Sequence, residues 1–362
     1  MTDGSSPTPL RVIASALTDV GRQRDHNEDS CAVVAEHELF LVADGMGGHR
    51  AGDVASRLAT ETVAEFFRAT ANEDVTWPCH FEMSLSEEEN RLVAGIRLAN
   101  RQIFERSIRS RDCAGMGTTV VGAHYAKKRG KLVVGHVGDS RAYRMRDGAL
   151  TQLTRDHSLV NDCIDAMPHL TEKQRAELPK NVITRALGMQ DQVTVDLLND
   201  VPRPGDLYLL CSDGLSGMLT DEEMVDVIGA VRAAVPRSKV PEALCRRLVE
   251  RANENGGEDN VTALVIQFEG EGDADDDVLA ITAPDATATP DDVAAPTERA
   301  EGVQREARAG EASGVDGAAD GAADTGADGA HREAEEPSEA SEGALTHGDG
   351  PRSSDASQAP PE

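Results

Sequence analysis

The chain has 362 residues, with 65 Asp and Glu against 36 Lys and Arg and a formal net charge of −29. Residues 271–362 hold 24 acidic and 5 basic side chains, which leaves −10 on the residues before them. Such a balance excludes nucleic acid as the main partner, because phosphate backbones repel it. No apolar run reaches the roughly 18 residues of a membrane span.

Residues 1–9 read as a flexible leader, without the charged-then-apolar pattern of a signal peptide. From 10 to 269 strand-like and helix-like segments alternate with no long Pro/Gly linker, which predicts one domain. Strands are expected around Cys31–Val34 and over Leu39–Ala43, followed by a helix from Gly52 to Phe67 on one apolar stripe. Asn72–Leu85, which holds the single tryptophan Trp77, reads as irregular and acidic. Ser86 then offers a capping box with Glu89, opening a helix that runs to about Ser110. Further strands are expected at Thr119–Tyr125, Leu132–Val137, Asp206–Cys211 and Val261–Phe268, and a helix at Lys239–Arg251. Asp147-Gly148 sits between Ala142–Met145 and Leu150–Leu153 and reads as a plain hairpin turn.

Runs of strands separated by helix pairs do not match a βαβ alternation. The fold class predicted is α+β, with two antiparallel sheets covered by helices. Residues 270–362 are expected to be disordered: 271–362 contain no aromatic residue and seven Leu, Ile or Val, too little apolar surface to offset the entropy of ordering. Six scattered cysteines (31, 79, 113, 163, 211, 245) form no C-x-x-C pair. This points to reduced thiols in a cytoplasmic protein rather than a disulfide framework or zinc site.

The aspartates carry the functional signal. Apolar strands run into Ala43-Asp44-Gly45, Gly138-Asp139-Ser140 and Ser212-Asp213-Gly214; Glu258-Asp259-Asn260 precedes the last strand, and Asn27-Glu28-Asp29 an early one. Clustered anions repel unless a cation lies between them, and Mg²⁺ or Mn²⁺ suits oxygen donors. The phosphate loops G-x-x-x-x-G-K-[ST] and G-x-G-x-x-G after a strand are both absent. Spacing alone leaves two alternatives open, a metal centre and a set of turns.

Eight stretches resemble, in order and spacing, the metal-dependent protein phosphatases of the protein phosphatase 2C class in their bacterial serine/threonine form. They are Gly21–Ser30, Val42–Ser56, Gly115–Gly122, Gly135–Tyr143, Leu153–Val160, Val182–Gly188, Leu209–Leu215 and Gly256–Thr262. The resemblance implies an α-β-β-α sandwich, with two Mn²⁺ or Mg²⁺ ions in a core site and a third, weaker one. It implies that Asp44 bridges both ions, with Gly45 adding its carbonyl. Asp213 and Asp259 would complete one shell, Glu28 would hold the other ion, and Asp139 with Asp213 the third. Arg24 would grip the substrate phosphate, while Asn260 and Ser212 would support the ligands from behind.

The implied reaction is hydrolysis of phosphoserine or phosphothreonine by a metal-activated bridging water. Phosphorylated proteins are the implied partners, with Ser/Thr kinases acting on the same substrates, and the enzyme is expected to be a monomer off the membrane. A pseudophosphatase that binds phosphoproteins, or a phosphatase of small esters, stays as the alternative. Where eukaryotic members carry a histidine as proposed general acid, this chain has Met46, whose thioether donates no proton; His49 is the nearest substitute in sequence. His136 reads as structural, Arg141 as an ion-pair partner, and His157 and Arg185 as flanks of a variable flap over Leu159–Asn181. Thr118 and Thr119 read as strand residues near the site.

Overall fold

The central strands are apolar without alternation because both their faces are covered. The computed structural model describes residues 10–46, 51–71, 81–179 and 182–270; the expected leader, Trp77, His49 and the acidic tail lie outside the described residues. One sheet runs in the order β1 (Leu10–Asp19), β11 (Val261–Gly270), β10 (Leu207–Cys211), β7 (Arg141–Arg146), β8 (Ala149–Gln152). The other runs β2 (Asp29–Val34), β3 (Leu39–Met46), β5 (Val120–Ala126), β6 (Lys131–Val137), β9 (Asp196–Asp200), with the short β4 (Gly117–Thr118) pairing to the end of β3. Neighbours in both sheets pair antiparallel.

Side chains alternate between two apolar layers, as the pleat requires. On β3, Leu39, Leu41 and Ala43 face α1 (Ala51–Ala69) and α2 (Glu87–Arg109), while Phe40 and Val42 enter the layer between the sheets. On β11, Val261, Ala263 and Val265 face α5 (Asp213–Ser216), α6 (Asp221–Ala234) and α7 (Val240–Glu254), while Leu264, Ile266 and Phe268 join the layer between the sheets. The layering is therefore α-β-β-α, as expected. α3 (Leu159–Ala166) and α4 (Glu172–Ala176) belong to the excursion between β8 and β9.

Local signals act where the sequence carries them. Ser86 caps α2, its hydroxyl accepting from Glu89 N–H while the Glu89 carboxylate accepts from Ser86 N–H at 2.7 Å. Asp147 and Gly148 take φ of 52° and 82°, the left-handed pair that a two-residue turn between β7 and β8 needs. Antiparallel pairing also brings the C-terminal ends of β3, β6 and β10 and the N-terminal ends of β2, β7 and β11 to one end of the sandwich.

Candidate functional site

That shared end gathers the acidic residues read from sequence. Asp44 lies in β3, directly opposite Asp29 of β2 in the ladder. Asp213 opens α5 straight after β10, Asp139 sits in the turn joining β6 to β7, and Asp259 closes the loop before β11. Asp44 and Asp213 are close enough to share a hydrogen bond. Glu28 feels the charges of Arg24, Asp53 and Asp259. Residues far apart in the chain thus form one anionic pocket.

The carboxyl groups pay for this proximity in acidity. Burial holds Asp44 well above the usual carboxylate range, and the charges of Asp29 and Asp213 add to it. Burial pushes Asp29 up to about 7 against the lowering bonds from Thr262 and Ser212. Asp139 is likewise raised to about 7, by burial and then by Asp213 and Asp156. Asp213 and Glu28 shift the same way, burial again the leading cause. Oδ1 of Asp29, Asp53 and Asp139 is buried with no hydrogen bond among the described residues. An all-oxygen donor set with unsatisfied lone pairs and suppressed ionisation fits hard divalent cations such as Mg²⁺ or Mn²⁺.

Hydrogen bonds hold the pocket's parts in place. Asn260 donates from Nδ2 to the carbonyls of Val20 and His26 (both 2.9 Å) and accepts from Glu28 N–H at Oδ1 (2.8 Å). It thereby fixes the loop bearing Arg24 and Glu28. Ser212 accepts from Thr262 N–H at 3.0 Å, and the Thr262 hydroxyl donates to Asp29 at 2.6 Å. Thr119 Oγ1 accepts from Asp44 N–H (3.0 Å), and the Thr118 hydroxyl donates to the Asp44 carbonyl (2.8 Å). Gly45 has no room for a side chain, because a Cβ there would collide with the carbonyls of Gly52 and Glu28. Arg24, half-exposed, donates to Asp259 at 2.6 Å.

Asp29, Asp53 and Asp156 are not among the site residues read from sequence. For Asp29 the signal lies in the register: the β2–β3 pairing that sets Leu41 against Ala32 also sets Asp29 against Asp44. Arg141 binds Asp156 through Nε and Nη2 at 2.7–3.0 Å, the ion pair expected of it.

A second group, His136, His157 and Asp196, brings nitrogen and carboxylate atoms within 4.8 Å of one another. Its imidazole planes are 8° from parallel, with centroids 4.7 Å apart and stacked, so their in-plane lone pairs run side by side instead of converging. His136 Nε2 meets the Arg155 carbonyl, and His157 Nδ1 accepts from Gly138 N–H at 2.9 Å. His157 Nε2 lies 3.2 Å from Asp196, which Arg185 also binds. These contacts tie the root of the excursion to the turn before Asp139.

Residues 21–250 match the family model described as protein phosphatase 2C. A serine/threonine phosphatase, stp, of Listeria welshimeri is 37% identical over 257 residues, spanning 70% of this chain and 95% of that protein. The crystal structure of the serine/threonine phosphatase PstP/Ppp of Mycobacterium tuberculosis aligns with a TM-score of 0.59 at 35% identity, covering 72% of this chain and 99% of that one. A PstP catalytic domain solved with two manganese ions aligns with a TM-score of 0.57, again at 35% identity and with 72% and 99% covered.

Proposed function

The chain belongs to the protein phosphatase 2C family, and from that membership we propose which residues carry its reaction and where it acts. It is a metal-dependent serine/threonine protein phosphatase, and its substrates are phosphoproteins. The observation that carries the residue assignment is the convergence of Asp44, Asp213, Asp139, Asp259 and Glu28 at one end of the sandwich. In this reading Asp44, the Gly45 carbonyl, Asp213, Asp259 and Glu28 hold two Mn²⁺ or Mg²⁺ ions, and Asp139 with Asp213 holds a third. Bound there, such ions acidify the attacking water and neutralise charge on the phosphoryl oxygens.

The protein's own groups do the rest. Arg24 stands at the mouth of the pocket, where its planar fork meets phosphate oxygens bidentately. Its bond to Asp259 keeps it beside the ligands until substrate arrives. Asn260 and Ser212 keep Glu28 and the β10–β11 ends from drifting apart as charge changes. Met46 gives no proton, so the leaving serine or threonine oxygen takes one from water.

Phosphoserine and phosphothreonine are made by kinases, so a Ser/Thr kinase supplies the substrate. The unpaired thiols of Cys31, Cys113, Cys163, Cys211 and Cys245 support a reducing, cytoplasmic setting, and we place the enzyme there as a monomer. The test is Mn²⁺ titration during turnover of a phosphothreonine peptide and of p-nitrophenyl phosphate, with Mn²⁺ binding followed by calorimetry. Asp44→Ala is expected to lower metal-dependent turnover roughly a hundredfold or more and to weaken Mn²⁺ binding. Retention of both would remove Asp44 from the assignment.

A further inference from the structure

Two residues beyond Asp44, the strand that carries it ends at Met46 on the edge of a cleft of about 360 Å³. Among the described residues the lining is about half apolar, from Met46, Ile183, Met189 and Val193 with Ala186, and half polar, from threonines, glutamines and Arg185. Arg185, the charged residue of that lining among the described residues, is already paired with Asp196. Met189 is 54% exposed, a large apolar side chain presented to solvent beside the pocket.

The wall is built to hold this shape. Asn100, 1% exposed on α2, accepts from Gly188 N–H at 2.8 Å and donates to the carbonyls of Gln190 and Asp191 at 3.0 and 3.2 Å. Leu187 exchanges both backbone hydrogen bonds with Thr118 of β4. Gly188 turns there with φ of 84°, and a Cβ would collide with Ile103. The Met189 thioether lies over Gly117, where a Cβ would sit 3.0 Å from its sulfur, and Gly117 is the ladder partner of Met46. Met46 and Met189 therefore flank one slot whose backbone is pinned from behind, while the thioethers stay adaptable.

We propose that this cleft is a subsite for an aliphatic side chain of the phosphoprotein substrate, and that Met189 sets how well it is held. The proposal rests on the phosphatase reading above and names a substrate feature for it. An extended peptide advances about 3.3 Å per residue. The two-residue step from Asp44 to Met46 therefore places the bound side chain one to three residues from the phosphorylated one. Between the two thioethers, with Arg185 already paired to Asp196, the slot favours leucine over aspartate there, since burying a carboxylate without a partner is costly. Discrimination of roughly tenfold is the scale such pockets reach.

The experiment compares phosphothreonine peptides that are identical except for Leu, Ala or Asp at each position one to three residues either side of the phosphothreonine. Values of kcat/KM are normalised to p-nitrophenyl phosphate, which has no flanking residue. At one position the wild type is expected to prefer Leu over Asp about tenfold, mainly through KM. Met189→Glu should bring that ratio near or below one, and Met189→Leu should keep it. A wild-type ratio near one at every position, or a ratio that Met189→Glu leaves unchanged, would overturn the subsite. So would a dimer, seen by light scattering, that Met189→Glu disrupts without moving the ratio, which assigns the cleft to a second copy. Loss of turnover on both substrate types in the wild type would sink the phosphatase reading itself, and the subsite with it.

Discussion

Asp29 and His124 show how differently two buried titratable side chains serve the same sheet. Asp29 faces Asp44 across the ladder and belongs to the anionic pocket. His124 sits on β5 at 8% exposure, its ring edge-on to Phe67 at 5.0 Å and its Nδ1 3.1 Å from the His37 carbonyl. Burial lowers it to about 4 from an ordinary 6.5, with the charge of Arg91 adding. Above pH 6.5 the imidazole is neutral in both folded and unfolded chains and costs nothing. Between 6.5 and 4 only the unfolded chain takes up the proton, so stability falls with pH, by about 2 kcal/mol at pH 5. Urea unfolding at pH 7.5 and pH 5 should show the wild type losing about that much more than His124→Gln; equal acid losses would contradict it. At this scale the sequence was legible where an aspartate follows an apolar run, as at Asp44, Asp139 and Asp213. Asp29 ends the Asn27-Glu28-Asp29 run but stands before its strand's apolar residues, and only the β2–β3 register sets it against Asp44.

Elements announce themselves when their ends or turns carry specific chemistry. The capping box at Ser86 marks the start of α2, and the Asp147-Gly148 pair marks the β7–β8 turn. Thr220 and Glu223 form the same box ahead of α6, yet that helix is not assigned from sequence: it buries only Met224, Ile228 and Val231. β9 carries little apolar signal in the sequence because it has no fully buried residue, lying at a sheet edge beside β6. β1 pairs along its whole length with β11, yet exposed and half-exposed positions break its pattern in the sequence. Ser86→Ala tests how much a cap matters in a 23-residue helix already docked on a sheet. It leaves the N–H of Glu89 unbonded, and should cost about 1 kcal/mol in chemical unfolding with catalysis unchanged. A loss below a few tenths would mean that packing of Leu92, Ile96 and Ile103 alone fixes the helix start.

For the molecule as a whole, three apolar layers supply cohesion while one end of the sandwich opposes it. Asp29, Asp44, Asp139 and Asp213 are all held above the ordinary carboxylate pKa, so the metal-free fold carries a cost in burial and repulsion. A divalent cation reverses it. A ligand at a hundred times its Kd adds about 2.7 kcal/mol, roughly 5–10 °C in Tm for a domain of this size. Mn²⁺ should therefore raise the melting temperature over a chelator by about that amount. The chelated protein should keep its far-ultraviolet circular dichroism at 25 °C, because none of the three layers depends on the pocket. Asp213→Asn separates this account from a general salt effect. Removing one of the mutually repelling charges should make the chelated variant melt above chelated wild type, while its gain from Mn²⁺ shrinks. A variant that melts lower in chelator and still gains as much from Mn²⁺ would show that Asp213 neither strains the pocket nor binds the ion.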